Sequence, residues 1–560
     1  MCDYSILIGG SAGQGSRKAG FIIGQLFLEL GYRVFIYDDY QSLIKGGHNF
    51  SQIRVSNKEV LSHREKIDFL LALDKNTIDK HQGDLDKDGI IVYNGDKISL
   101  PPHFSKNGKT KIVGMPLMAI VQQAGGEGIM ENIALIAGFA KIAGIDWLLL
   151  SRVLKREFKK WQDLNLKVAE AAFGSVSNLI KIEKGAEKKS LTLLTGNQAV
   201  SLGAVKAGLD SYFAYPMTPA TGILHYLIQR QNDFNIKAVQ MENEIAVVNA
   251  ALGAAYAGAR AMVGTSGGGF ALMAEALSLS VQAETPVVII ESQRSGPATG
   301  VPTYTSQSDL LFVLSAGHGD IVKFVIAPGD AEQACFWTSK ALNLAWQYQT
   351  PVVLLIDKEI SESTFTFSPD ILNRIKIEKF FTWDKKGKYQ RYKDVNNGIS
   401  PLAFPGTKGA VIKSTSYEHD EFGLGVEDEE SVVKMQNKRL RKFEAMKREA
   451  ERLPAVEVYG KKDSSKAVIV WGSTKGPVQE AAEELGFKVI QPVILQPFPE
   501  KQIKNALKGV EKTVLIETTA TGQLAEVLNG YAIKIDKKIL KYDGRPFSFD
   551  EIKDKLSRWR

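Results

Sequence analysis

A chain of 560 residues is too long for one hydrophobic core, and at about 150 residues per domain it predicts three or four. Hydrophobic content of 44% and charged content of 24% are ordinary for a globular protein, and a formal charge of +7 carried by scattered lysines gives no nucleic-acid footprint. The cysteines, Cys2 and Cys335, are far apart and outside any CxxC pattern, which excludes a disulfide framework, a cysteine zinc site or an iron–sulfur cluster carried by this chain alone.

The N-terminus enters an apolar strand with no leader pattern, and no uninterrupted apolar run reaches about 20 residues, so a cytoplasmic chain without membrane insertion is expected. Residues 1–185 open as "YSILIGGSAGQGSRKAGFIIGQLFLELGYRVFIYDDY": strand, glycine turn, helix, strand, the pattern of a Rossmann-like α/β domain. Gly10, Gly13 and Gly15 would let the backbone approach a diphosphate at a helix N-terminus. The spacing is not GxGxxG, however, and a tight strand-to-helix turn needs glycine on its own account. "KGGHN" adds Lys45 and a second glycine turn compatible with phosphate, while a plain hairpin explains His48 and Asn49 equally well.

Residues 190–360 repeat apolar, β-branched strands at "ARAMVGT", "TPVVIIES", "DIVKFVIA" and "TPVVLLID", each followed by a helical pattern. Such alternation predicts a parallel sheet covered on both faces. Residues 361–460 are polar and read as a connector, with an exposed helix around 430–452. Residues 461–560 form a further small α/β unit.

Candidate chemistry gathers in the second unit. In "YPMTPATG" Thr218 and Pro219 have the form of a helix start, N-cap then N1, yet they also follow a parallel strand, where α/β sheets bind ligands. "TSGGGFALM" lacks the Lys-Ser/Thr of a phosphate-binding loop, so its glycines suit a flat ligand or another chain. Arg294 follows "VVIIES" and leads a Gly-Pro loop holding Thr303; an arginine so placed suits a small carboxylate. "YEHDEFG" sets His419 beside Asp420 and Glu421, but consecutive loop residues rarely chelate one ion, and no metal is assigned. Most telling is "QMENEIAVVNAALGAAYAGA": Glu242 and Glu244 stand before a run without charge from Ile245 to Ala259, read as a helix buried on nearly every side.

These motifs, in this order, resemble the alpha subunits of 2-oxoacid:ferredoxin oxidoreductases, above all the 2-oxoglutarate type with a gamma module fused ahead. The resemblance covers essentially the whole chain. It implies a gamma domain, a thiamine-diphosphate pyrimidine-binding domain containing Tyr215, Pro216, Gly267 and Gly268, and a transketolase C-terminal-like domain. Glu244 matches the glutamate that activates the cofactor, with Glu242 left as a rim or capping residue. Thr218 and Arg294 match positions binding the 2-oxoacid carboxylate, and Thr303 one near the far end of the substrate. Gly10, Gly13, Gly15 and Lys45 become candidates for coenzyme A. The chain lacks the GDG pattern that binds Mg²⁺ and diphosphate, and cysteines for a [4Fe–4S] cluster. The resemblance therefore implies a beta subunit carrying both, an (alpha-beta)2 heterotetramer, and ferredoxin as acceptor. Tyr304 stands where many 2-oxoglutarate members have a basic residue, which keeps branched-chain and aryl 2-oxoacids open as substrates and leaves a non-catalytic scaffold as the rival role.

Overall fold

The computed structural model describes residues 3–43, 46–100, 110–187 and 190–559. The chain divides into two compact units: Met1–Leu194 with Ser363–Ser368 and Ser548–Asp554, and Thr195–Glu362 with Pro369–Phe547 and Lys555–Arg560.

The first unit is built on an eight-stranded mixed sheet. Its order is Lys111–Met115, Leu85–Asn94, Ile67–Ala72, Asp3–Ala12, Gly46–Ser56, Arg33–Asp39, Thr364–Phe367, Thr192–Thr195. The opening strand–helix–strand is present, but its two strands are not neighbours. Gly46–Ser56, for which a hairpin sufficed in the sequence, is an 11-residue strand inserted antiparallel between them. The helix Ser16–Glu29 buries Ala19, Ile22, Ile23, Leu26 and Phe27, at three- and four-residue spacing, in a core with Ile6, Ile8, Val34, Ile36 and Ile53.

In the second unit the predicted parallel sheet has seven strands, in the order Ile494–Gln496, Phe324–Ile326, Pro351–Asp357, Val287–Gln293, Ala261–Thr265, Ser211–Ala214, Lys237–Gln240. Only Ile494–Gln496 pairs antiparallel. Val287–Gln293 and Pro351–Asp357 are buried along their whole length: the apolar runs at 287–290 and 351–356 demand it, and the polar residues that follow them are buried as well. A five-stranded sheet follows, in the order Val456–Gly460, Lys488–Pro492, Lys466–Ile469, Lys512–Glu517, Lys537–Leu540. One apolar cluster serves both sheets: it contains Val263, Phe270 and Ile289 together with Trp471, Ile490 and Leu515. The fold is thus mixed α/β with three sheets among the described residues.

Two readings of the sequence change. The helix Glu244–Tyr256 ends before the uncharged run does and is not buried all round. Val247, Val248, Ala251 and Ala255 face the core, while Ile245, Asn249, Gly253 and Tyr256 form an exposed stripe at helical spacing. Uniform apolarity conceals which face this chain covers.

The helix Glu429–Arg452 is not the exposed element its charge suggests. Lys438 and Lys442, one turn apart, are buried with their ammonium groups 2.5 and 2.6 Å from the two oxygens of buried Glu284. Arg391 donates to the Glu284 carbonyl at 2.6 Å. Burial alone would raise the Glu284 carboxyl, but Lys438, Lys442 and Arg391 together hold it well below the usual carboxylate range. A charge run normally marks a solvated face, and nothing local announces an acid so distant in sequence.

Removing the acid would strand two ammonium groups in a dry site, at a cost of about 3–5 kcal/mol. Glu284→Gln is expected to lower the urea unfolding free energy by that amount. Burial also holds both lysines below their usual range, so the folded variant sheds protons before the unfolded chain does, and it should regain stability as pH rises to about 9.

Candidate active site

The site lies at the carboxyl ends of the parallel strands of the second unit, where the crossover loops converge. Glu244 is the first residue of its helix, whose N-cap is Asn243: that side chain accepts from the Ala246 amide at 2.9 Å. Glu242 is exposed, so the cap belongs to Asn243. Glu244 itself is 3% exposed, and its Oε1 has no hydrogen-bond partner among the described residues. An unpaired buried carboxyl oxygen costs free energy unless something else meets it.

Glycine makes this position available. An ideal Cβ on Gly269 would stand 2.5 Å from Glu244 Oε1 and 2.1 Å from Thr265 Oγ1, so only glycine fits beneath the carboxyl. The sequence selects the neighbouring Gly267 and Gly268. Gly268 has nothing within 4 Å of such a Cβ, and Gly267 has the Asp309 carboxylate at 2.5 Å. All three open the helix Gly267–Gln282, and their different packing was not visible in a triplet.

Thr218 and Arg294 are brought together: Arg294 Nη1 donates to the Thr218 carbonyl at 3.0 Å. The Thr218–Pro219 peptide is cis and the following helix, Thr221–Phe234, starts later, preceded by Ala220. The helix-start reading of Thr218 and Pro219 is therefore overturned. Tyr215, 40% exposed, and half-buried Pro216 follow directly on the strand Ser211–Ala214. Burial lowers the Arg294 guanidinium, while Asp309 and Glu244 oppose that shift, so the two acids and the arginine share one electrostatic neighbourhood.

The loop after Arg294 carries Thr303 and Thr305, both buried, with hydroxyls that find no partner among the described residues. Its backbone is fixed both within the loop and from outside. Ser295 N donates to Tyr304 O at 3.1 Å, Thr305 N to Gly544 O at 3.0 Å, and Gln307 N to Thr518 O at 2.8 Å. The Gln307 side chain donates to Trp471 O at 2.6 Å and accepts from Thr518 N at 2.9 Å. The Arg545 guanidinium carbon sits 3.8 Å from the centre of the Tyr304 ring.

Three strands carry an acid at or near their carboxyl end: Glu291, two residues before the end of Val287–Gln293, and the terminal residues Asp357 and Glu517. All are buried. Burial pushes Asp357 up to about 6, although Ser473 and the Ile360 amide donate to it. Burial likewise pushes Glu517 up to about 7 against donors from the Leu524 amide at 3.0 Å and Trp471 Nε1 at 2.7 Å. The sequence showed the signal, "VVIIE", "VVLLID", "TVLIE", but an acid after a strand is also an ordinary surface residue.

In the first unit Gly10 lies inside the opening strand, and Gly13 and Gly15 form the turn at φ of 97° and 76°. Lys45 lies outside the described residues. The "YEHDEFG" segment is a clasp. Buried His419 stacks on Tyr392 with ring centres 3.6 Å apart, Arg439 grips Glu418 with both guanidinium nitrogens, and Lys434 pairs with Glu421 at 3.0 Å. Among the described residues no helix is long and apolar enough to cross a membrane.

Residues 202–438 match the family "Pyruvate flavodoxin/ferredoxin oxidoreductase, thiamine diP-bdg", and residues 5–175 match "Pyruvate ferredoxin/flavodoxin oxidoreductase". The chain is 33% identical to 2-oxoacid:ferredoxin oxidoreductase 2, subunit alpha, of Aeropyrum pernix, over 98% of this chain and 97% of that one. It is 29% identical to the 2-oxoglutarate oxidoreductase subunit KorA of Mycobacterium tuberculosis, over 90% of this chain and 82% of that one. Among solved structures, the 2-oxoglutarate:ferredoxin oxidoreductase of Magnetococcus marinus, with 2-oxoglutarate, coenzyme A and succinyl-CoA bound, matches at TM-score 0.91 and 27% identity, covering 100% of this chain and 99% of that one. The chain belongs to the alpha-subunit family of the 2-oxoacid:ferredoxin oxidoreductases. It is a subunit of an oxidoreductase and contains that family's thiamine-diphosphate-binding domain.

Glu517 supplies a test of the strand-end acids. The unfolded chain ionises this group near pH 4.5, whereas the folded chain keeps its proton up to about 7. Folding therefore takes up a proton between these values, and stability falls as pH rises across them, by at most about 1.4 kcal/mol per pH unit. Urea titrations of Glu517→Gln should show a flatter pH dependence in this window than the parent.

Proposed function

We propose that the chain supplies the cofactor-activating acid and the substrate-binding side chains for CoA-dependent oxidative decarboxylation of 2-oxoglutarate, giving succinyl-CoA, CO2 and reduced ferredoxin, or for the reverse reaction. The observation that carries this reading is Glu244 Oε1, buried on Gly269 and left without a hydrogen-bond partner among the described residues. Its donor set fits thiamine diphosphate: a carboxyl group there can share a proton with a ring nitrogen. When bound, the cofactor would supply the nucleophilic carbon and the electron sink. Glu244 would hold the proton exchanged with the aminopyrimidine, in a dry wall also containing Gly267 and Gly268, with Tyr215 and Pro216 at the rim. Arg294 and Thr218 would bind the 2-oxoacid carboxylate, Arg294 offering the charge-assisted donors. Thr303, with its unpaired hydroxyl, would serve the distal end of the substrate.

The 2-oxoglutarate reading draws on the bound 2-oxoglutarate of the Magnetococcus structure. It draws also on Arg545, which lays a cation on Tyr304, next to Thr303. The exposed stripe Ile245, Asn249, Gly253, Tyr256 suits coverage by a beta subunit, to which we assign Mg²⁺, the diphosphate contacts and the [4Fe–4S] cluster, in a cytoplasmic (alpha-beta)2 assembly that reduces ferredoxin. Gly10, Gly13, Gly15 and Lys45 remain our candidates for coenzyme A. The corresponding division is 1–185 as the gamma domain, 190–360 as the pyrimidine-binding domain, 361–460 as the connector and 461–560 as the transketolase C-terminal-like domain.

Two measurements on the complex with its partner subunit test the reading. Glu244→Gln should lower kcat by about 10²-fold or more while thiamine diphosphate stays bound, judged by cofactor content after gel filtration; unchanged turnover defeats the assigned role. Arg545→Ala should raise KM for 2-oxoglutarate about tenfold and leave KM for a monocarboxylic 2-oxoacid unaltered, as a competition panel of 2-oxoacids would show.

A further inference from the structure

We infer that Glu291 and Asp309 form an acid–carboxylate pair that holds Arg294 in place and moderates its grip on a substrate carboxylate. Both are positioning residues. The inference rests on the reading of Arg294 as a carboxylate-binding group.

Glu291 is fully buried in the middle of the seven-stranded sheet, level with Thr265 on one neighbouring strand and Leu355 on the other. Among the described residues no donor group reaches either of its oxygens, and the group that acts on its carboxyl most strongly is another carboxyl, that of Asp309. Two ionised carboxylates are acceptors only and cannot bond to each other. One proton must therefore lie between them, as in other buried carboxyl pairs. The surroundings decide which residue keeps it. Burial, the Asp309 charge and Asp357 on the adjacent strand all push Glu291 well above the usual carboxylate range. Burial raises Asp309 as well, but the bond from Glu291 and the Arg294 guanidinium pull against that rise. Glu291 is the acid, and Asp309 the carboxylate that faces Arg294.

The seat of Asp309 is built. Its amide donates to Gln293 Oε1 at 3.0 Å, and one carboxylate oxygen lies 2.5 Å from where a Cβ on Gly267 would stand. That glycine, at the start of the helix Gly267–Gln282, is what lets the carboxylate in. Around Arg294 stand the Asp309 carboxylate, the Thr218 carbonyl and, further off, Glu244. An Asp309 carrying its full charge would compete with an incoming carboxylate for the guanidinium. The hydrogen bond from Glu291 withdraws part of that charge, so the arginine is oriented without being neutralised.

The complex with its partner subunit provides the test, using kcat and KM for 2-oxoglutarate and the infrared spectrum in the carboxylic-acid C=O region at pH 8. Glu291→Gln keeps a donor towards Asp309 and should raise KM less than threefold. Glu291→Leu leaves Asp309 unpaired and should raise KM tenfold or more with kcat within threefold, and Asp309→Asn should do the same by releasing Arg294. The infrared difference between parent and Glu291→Gln should contain the band of a protonated carboxyl. Absence of that band, or a Gln variant as impaired as the Leu variant, overturns the pair. If Arg294→Ala raises KM while Asp309→Asn does not, the pair alone is overturned. If Arg294→Ala leaves KM unchanged, the carboxylate-binding reading fails and this inference falls with it.

Discussion

The Glu244 carboxyl is seated where a glycine backbone replaces a side chain, and the arrangement of the site follows from that contact. A carboxyl 3% exposed, with one oxygen unpaired, is tolerable only if its neighbours neither crowd nor neutralise it. Gly269 meets the first requirement, because any Cβ there would strike Glu244 and Thr265. Arg294 meets the second: it is near enough for the Glu244 charge to be felt, while its own hydrogen bond goes to the Thr218 carbonyl. The acid is thereby left inside the protein with one carboxyl oxygen unpaired among the described residues.

The same economy of charge recurs at the ends of the strands. Asp357 and Glu517 each terminate an apolar strand inside the protein, and Glu291 lies two residues before the end of another; burial favours the neutral form of all three. Glu517 receives Trp471 and the Leu524 amide, and Trp471 in turn supplies the carbonyl that holds Gln307. The loop carrying Thr303 and Asp309 is thus anchored on the five-stranded sheet through Gln307, and on the seven-stranded one through the Asp309 amide, which donates to Gln293. A packed, hydrogen-bonded support of this kind fixes polar groups more firmly than a free loop would. Glu284 presents the opposite solution, a buried acid kept ionised by Lys438 and Lys442.

Much of this was legible beforehand. The apolar runs within "VVIIES" and "TPVVLLID" announced buried parallel strands, because a strand covered on both faces does not alternate apolar with polar residues. The motifs from "YPMTP" to "QSDL" pointed to Thr218, Glu244 and Arg294, and Arg294 does meet Thr218. The strand Gly46–Ser56 was less legible, since one segment can pair with two distant strands only once both exist. Lys438 and Lys442 were misread for the same reason: a lysine is solvated unless an acid elsewhere comes to it. Asp309 and Glu291 passed unnoticed because an acid at the head of a helix, or near the end of a strand, is usually exposed.

The sequence by itself determined which segments become strands and helices, that they alternate into covered sheets, and that one acid stands at the head of an apolar helix. Those are consequences of local periodicity and of residue chemistry within a few turns. Tertiary structure decided which of three adjacent glycines touches the acid, which face of the Glu244–Tyr256 helix stays open, and which buried carboxyl keeps a proton. Each of these depends on atoms far apart in the chain arriving within a few ångströms of one another, where burial and neighbouring charge, rather than residue type, set the outcome.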